Sequence, residues 1–401
     1  MLSWLRWRNP RRNDDAEGCI LPQELVDECL SYLHYEYQST HQPNDLMACA
    51  LVCKSWSLAA QRHLFKIVRL GTTRRRSHIR LLDRTLRASP HLIQHIHSLV
   101  LYRGPLVKKK NSINIAAFEK ICNISYTHLE SVFFLDGEIT FTLRYARALQ
   151  RLLSLPTLCQ VNLSGTFPDP AAFCAVWDRC SPTIKHLELH CRNHIQHDLH
   201  PTASHSSASV ALRSLKLNIY SFNGVDEWLN HDLCPFDFSQ LAVLSVTNPT
   251  LLGIGRSRMI PALQTIRALE FNIGMFFDEN QLIDLSLFSN LQFLRISFYC
   301  HPHLTAIALD TLSTLVISSA IRHIVMSFWP TNIDAHWQAV YDQFDSKIDG
   351  LQLQHLLSVG LEMDVQDYTC MAEFFPRLHS RNLLCRSDSG WFERRREAYL
   401  Q

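Results

Sequence analysis

Ile266-Arg267-Ala268-Leu269-Glu270-Phe271 and, about 25 residues on, Leu291-Gln292-Phe293-Leu294-Arg295-Ile296 share one frame, apolar-x-x-apolar-x-apolar. The same frame occurs at Ile96-Leu99-Leu101, Leu129-Val132-Phe134, Leu158-Val161-Leu163, Ile184-Leu187-Leu189, Leu212-Leu215-Leu217 and Leu241-Leu244-Val246. Beyond the quoted pair it continues at Ile321-Ile324-Met326 and Leu356-Val359-Leu361, and a weaker eleventh unit begins at Leu378, where Arg381 breaks the pattern. Its last two apolar residues stand two apart, the period of a strand with one face buried. Repetition of one frame about every 25 to 35 residues implies stacked units that bury a shared core. Helices are expected between the strands. Asp169-Pro170 precedes Ala171, Ala172, Phe173, Val176 and Trp177, and Asp334 precedes Trp337, Val340, Tyr341 and Phe344. Leu143 to Leu153 and Leu304 to Leu312 read alike. Ordinary strands of a doubly wound sheet would also fit, but ten occurrences in one order favour a solenoid.

N-terminal to the array the pattern changes. From Pro22, apolar residues recur at Leu25, Val26, Cys29, Leu30 and Leu33, the stripe of an amphipathic helix. A polar loop is expected from His34 to Asn44, then a helix opened by Asp45 with Leu46, Cys49, Ala50, Val52 and Cys53. A third runs from Ser55-Trp56 through Ala59 and Ala60 to Leu64-Phe65. Three short helices in about 50 residues bury little surface, so a partner is their natural completion.

Leu21-Pro22-x-Glu24-Leu25, Asp45-Leu46, Leu51-Val52-Cys53-Lys54-Ser55-Trp56 and Leu64-Phe65 together resemble the F-box. The resemblance implies docking on a Skp-type adaptor of a cullin–RING ubiquitin ligase. The adaptor contacts it implies are Leu21, Pro22, Leu25, Val26, Leu30, Leu46, Val52, Cys53 and Trp56, of which Val52 and Leu30 could instead belong to the module's own core. The loop His34–Asn44 is longer than is usual in that family. The array resembles leucine-rich repeats, which serve F-box proteins for client capture. It departs from them where the consensus has Asn or Cys, since those positions hold Gly104, Thr166, Arg192, Tyr220, Pro249, Gly274, Tyr299 and Trp329. An irregular arc is therefore expected.

The fold class expected is α/β: a small three-helix F-box module, then an irregular leucine-rich-repeat solenoid with a strand and a helix per repeat and a parallel sheet. The divisions are a disordered basic lead-in at 1–18, the F-box at 19–70, a linker helix at 71–92, the solenoid at 93–390 and a tail at 391–401. With the apolar residues of each strand turned inward, the alternating ones should line an exposed face. These are His186, Glu188 and His190; Ser214, Lys216 and Asn218; Ala268, Glu270 and Asn272; Phe293, Arg295 and Ser297; and His323, Val325 and Ser327. Glu188, Lys216, Glu270, Phe293, Arg295 and Val325 are the candidate client contacts, their mixed charge suiting a protein better than a polyanion.

Other constellations point less clearly to chemistry. Cys174, Cys180, His186, His190, Cys191, His194, His197, His200 and His205 contain zinc-ligand types, without a CxxC or HExxH spacing. Part would lie on a strand and part in a serine-rich loop, so no metal is expected. Arg74-Arg75-Arg76 with Arg80, Arg84 and Arg87, and also Lys108-Lys109-Lys110, read as solvated faces of a near-neutral chain. Arg394-Arg395-Arg396 follows Trp391 and Phe392 in an amphipathic tail. Gly253-Ile254-Gly255 lacks the third glycine of a dinucleotide turn, and no phosphate-loop or nucleophile-elbow motif occurs. No catalytic residue and no cofactor is assigned.

Composition is consistent with this reading. The 401 residues carry 39 Lys and Arg against 37 Asp and Glu, too balanced to steer toward nucleic acid or anionic lipid. Thirteen cysteines without a CxxC pair suit a reducing compartment. Arg6 and Arg8 cut the N-terminal apolar residues short of a signal peptide, and a transit peptide is the less common reading of such a terminus. No apolar run reaches the length of a membrane span. The expectation is a non-catalytic substrate receptor in cytoplasm or nucleus. The alternatives are an F-box scaffold outside ubiquitin transfer and a metal- or nucleic-acid-binding solenoid.

Overall fold

The computed structural model describes residues 22–40, 44–72, 78–103, 115–135, 139–168, 170–191, 209–219, 228–229, 231, 234–247, 259–274, 282–299, 301–316, 320–329, 338–362 and 369–386. The chain forms two compact units, Met1–Thr166 with Ala175–Thr183, and Phe167–Cys174 with Ile184–Gln401.

The first unit opens with three helices, α1 (Gln23–Thr40), α2 (Asn44–Cys49) and α3 (Lys54–Lys66). The Pro22 carbonyl accepts from the Leu25 and Val26 amides, so proline sits where its missing N–H costs nothing. Helix α1 continues through Thr40, which corrects the expected loop from His34. That segment holds neither glycine nor proline before Pro43, so nothing in it stops the helix. Val26, Leu30, Leu46, Ala59 and Ala60 form the small core, and Cys49, Ala50, Trp56 and Leu64 pack against it.

Helix α3 passes directly into a strand, β1 (Ile67–Thr72), which pairs in parallel with β2 (Ser98–Arg103). This strand was not expected, yet Phe65-Val68-Leu70 obeys the same frame as the ten repeats, and all three residues are buried. The boundary drawn at residue 70 therefore falls inside the first repeat strand. Then come β3 (Ser131–Phe134) and β4 (Gln160–Gly165), and the frame residues stand in register as Val68, Leu99, Val132, Val161 and as Leu70, Leu101, Phe134, Leu163. Crossovers in this unit include α4 (His78–Ala88), α5 (Ile115–Cys122) and α6 (Leu143–Leu153). Each turns its apolar stripe inward, as Ile79, Leu82 and Leu86 do on α4. The expected linker helix is α4, shorter than 71–92 and followed by a 3-10 turn at Pro90–His95.

The second unit carries the parallel strands β5 (His186–Cys191), β7 (Ser214–Ile219), β9 (Val243–Val246), β10 (Ala268–Ile273), β11 (Phe293–Tyr299), β12 (His323–Trp329), β13 (Ser358–Glu362) and β14 (Leu384–Arg386), in that order. A separate short parallel pair joins β6 (Val210–Ala211) to β8 (Phe236–Asp237). Leu187, Leu215, Leu244, Leu269, Leu294, Ile324 and Val359 form one in-register apolar row. Strand β14 extends that row through Leu384 and places Arg386 beside Leu361. The eleventh unit therefore begins at Arg381, three residues after Leu378.

The helices expected around Pro170 and across Leu143–Leu153, Leu304–Leu312 and the Val340 segment are present: α7 (Pro170–Trp177), α6, α9 (Pro302–Ser313) and α10 (Gln338–Gly350). A short α8 (Ile260–Leu263) precedes β10, and α11 (Thr369–Phe374) with α12 (Pro376–Ser380) precedes β14. Within this unit Phe328 packs edge-on against Phe298 and Tyr341, with ring centroids 4.9 and 5.3 Å away.

Threonine hydroxyls tie successive frames together. Thr157, Thr183 and Thr265 each stand one residue before a frame, and each hydroxyl donates to the carbonyl of the preceding frame's first residue. Those carbonyls belong to Leu129, Leu158 and Leu241, at 2.7, 2.8 and 2.9 Å. Asn290, one residue before Leu291, donates to the Gln264 carbonyl at 2.6 Å. These bonds satisfy turn carbonyls that a stacked repeat hides from water.

Candidate functional site

Two surfaces bring the sequence-predicted residues together, one in each unit. The first is the helical module. Its candidates divide by burial. Val26, Leu30 and Leu46 are buried in the module's own core, where they hold helices together and offer no side chain to a partner. Pro22, Leu25, Val52 and Cys53 are exposed, Leu25 at 48% and Val52 at 67%. Trp56 is half-buried against the core and so joins the two groups. Leu21 lies outside the described residues. Of the two residues suspected of core roles, Leu30 is in the core and Val52 is not.

Sequence periodicity missed three further exposed apolar residues, Tyr32, Leu51 and Leu58. Leu58 lies next to the buried Ala59 on α3 but on the opposite side of the helix's apolar stripe, which was a readable signal. Large apolar side chains concentrated on so small a module leave it incomplete as a free surface. Cys53 is the residue before α3, with an extended backbone. The Ser55 hydroxyl, 3.4 Å from its sulfur, and then the Trp56 amide favour its thiolate and lower its pKa.

The second surface is the polar face of the second unit's strands. Glu188 on β5 pairs with Lys216 on β7 at 2.9 Å and with His190 at 2.7 Å. Burial alone would raise the Glu188 pKa, but the hydrogen bond from His190 and the Lys216 cation outweigh it and bring it to about 2. Farther along, Arg295 on β11 lies between Glu270 on β10, 2.9 Å away, and Glu362 on β13. Ser245 donates to Glu270 at 2.7 Å, and Ser327 donates to Glu362. The charged candidates therefore stand in register across neighbouring strands, where they first satisfy one another.

Phe293 and Val325 do not stand on an exposed face as expected, for they are buried, at 1% and 0% exposure. Parallel in-register pairing places Phe293 between Ala268 and His323, and Val325 packs with it, Ala268 and Val243 in one apolar cluster. Ser214, Ala268, His323 and Ser327 are buried as well, so the expected exposed row is interrupted on β7 and again over β10 to β12.

Among the described residues no group of three or more His, Cys, Asp and Glu is arranged to hold a metal ion. His190 is engaged with Glu188, while His194, His197, His200 and His205 lie outside the described residues. So do Arg74 to Arg76, Lys108 to Lys110, Gly253 to Gly255 and the segment from Trp391 to Arg396. No described helix is long and apolar enough to cross a membrane.

Comparison with known families matches residues 19–68 to the F-box domain, the stretch that forms α1, α2, α3 and the first residues of β1. That domain indicates an adaptor role in a Skp–cullin–F-box ubiquitin ligase. No curated protein matches the chain.

Proposed function

We propose that this chain is a substrate-recruiting subunit of a Skp–cullin–F-box ubiquitin ligase, in which the helical module binds the Skp-type adaptor and the repeat strands bind a client protein. The observation that carries the reading is the exposed apolar set Leu25, Leu51, Val52 and Leu58 on a module matched to the F-box. Pro22, Leu25, Val52, Cys53 and Trp56 are the adaptor contacts, with Val26, Leu30 and Leu46 supporting them from the core. Glu188 and Lys216, each about a quarter exposed, are the client contacts on the strand face, with Glu270 and Arg295 farther along it. The mechanism is proximity. Holding client and ligase on one scaffold raises their effective concentration without a reaction at this chain.

The test is co-purification of the full chain with a recombinant Skp-type adaptor. Leu25→Glu with Val52→Glu places two charges against an apolar partner and should weaken the complex at least about tenfold, with melting unchanged because both positions are exposed. Failure of the wild-type chain to bind the adaptor overturns the reading. Adaptor binding without ubiquitin transfer by the reconstituted cullin complex assigns the chain to scaffolding.

A further inference from the structure

The outer surface of the first unit's crossover helices carries a charge that the whole-chain balance conceals. Helices α4, α5 and α6 hold seven Arg and Lys against two carboxylates, whereas the entire chain has a formal charge of only +2. On α4, Arg80, Arg84 and Arg87 are all exposed and fall within about 60° of one another at ~100° per residue. On α6, Arg144, Arg147 and Arg151 repeat that arrangement, and Lys120 is exposed on α5 between them. Helix α5 packs against both α4 and α6, and Arg87, Lys120 and, through Asn123, Arg151 meet along that packing. The two carboxylates are already engaged, Asp83 with Arg87 at 2.9 Å and Glu119 accepting from Nε and Nη2 of Arg144 at 2.6 and 2.7 Å.

Between α4, the 3-10 turn and α5 lies a groove of about 340 Å³, large enough for an apolar side chain. Leu86, Ile93 and Ile124 supply its apolar wall, and Arg87, Lys120 and Asn123 its polar edge, with Asp83 beside Arg87. Arg151 donates to the Asn123 side chain, which ties the α6 cations to the rim.

We propose that this surface docks an acidic polypeptide segment bearing an apolar anchor residue, the anchor entering the groove and its carboxylates meeting Arg84, Lys120, Arg147 and Arg151. Charge complementarity selects an acidic partner. The apolar wall selects a peptide with an aliphatic anchor over a nucleic-acid strand, which has no such side chain to fill it. The proposal stands independently of the adaptor reading.

The experiment uses the purified full chain and fluorescence anisotropy. The probe is a labelled peptide of about a dozen residues rich in Glu and Asp with one central Leu, and the comparison peptide has Ser in place of Leu. Binding should weaken about tenfold on losing the Leu, and at least about tenfold when salt rises from about 50 to about 300 mM. Arg84→Glu with Arg147→Glu should weaken it about tenfold at unchanged melting temperature, since both side chains are exposed. No binding at about millimolar peptide, equal affinity for the Leu and Ser peptides, or insensitivity to charge reversal overturns the proposal. Tighter binding of a single-stranded oligonucleotide of equal length, or of vesicles with anionic lipid, overturns it in favour of that polyanion.

Discussion

Replacing Glu188 by Gln removes the negative charge between Lys216 and His190 while keeping the side chain's shape, so the effect on stability is mainly electrostatic. The folded pKa is about 2, against an ordinary value of 4.5. A depressed carboxylate pKa contributes stability that is complete above the unfolded value and is lost as pH falls toward the folded one. A difference of about 2.5 units sets a ceiling of about 3 kcal/mol at neutral pH. The side chain is 25% exposed, and solvent screening brings the expectation to about 1–2 kcal/mol. More than half of that contribution should be gone by about pH 3. The measurement is the urea dependence of amide exchange in β5 and β7, corrected for intrinsic rates, in wild type and Glu188→Gln across about pH 3 to 7. The stability gap should be largest near neutrality and shrink below about pH 4.5. An equal gap at pH 7 and pH 3 refutes the reasoning, because the pair would then act by packing and not by charge.

Two further substitutions test the way the repeats are tied together. Asp345 is 2% exposed, and its carboxylate accepts from the Arg377 and Leu378 amides, both at 2.9 Å, at the start of α12. Asp345→Ala strands both donors and should cost about 2–3 kcal/mol, with β14 the first strand to lose exchange protection; full protection of β14 in the variant would contradict this. Thr265→Val removes the donor to the Leu241 carbonyl and should cost about 1 kcal/mol by chemical denaturation, while Thr265→Ser, which keeps the hydroxyl, should cost less.

The strand positions were legible because one frame fixes both where a strand lies and which side faces inward. Each of the ten frames lies on a strand that begins two residues after its first apolar member. Strand β1 obeys the same rule, but Phe65 also reads as the end of a helical module, and one residue can serve as the last turn of α3 and the first member of a frame. Burial of the second face was not legible. Alternation tells which side of a sheet a residue takes, not whether that side meets water, and parallel sheets are commonly covered on both. Val243-Leu244-Ser245-Val246, buried at all four positions, shows the consequence, as do Phe293 and Val325. On the helical module the pattern separated core from surface correctly at Leu30 and Leu25 only once packing was known, since both fit one stripe. The ionic chain Glu270, Arg295, Glu362 depends on register across strands distant in sequence, which no local pattern encodes.

The passage from α3 into β1 without an intervening loop has a consequence for how the chain comes apart. The F-box match ends at residue 68, the second of the six residues of β1, and Phe65, on the last turn of α3, is at once the foot of the module and the first member of a repeat frame. The homology boundary is therefore not a folding boundary. A fragment cut there loses four strand residues together with the β2 edge that pairs them, and leaves Val68 without Leu99 beside it. Opening of the module's last helix should therefore be coupled to fraying of the first strand, and the module and the opening repeats should exchange their amides together.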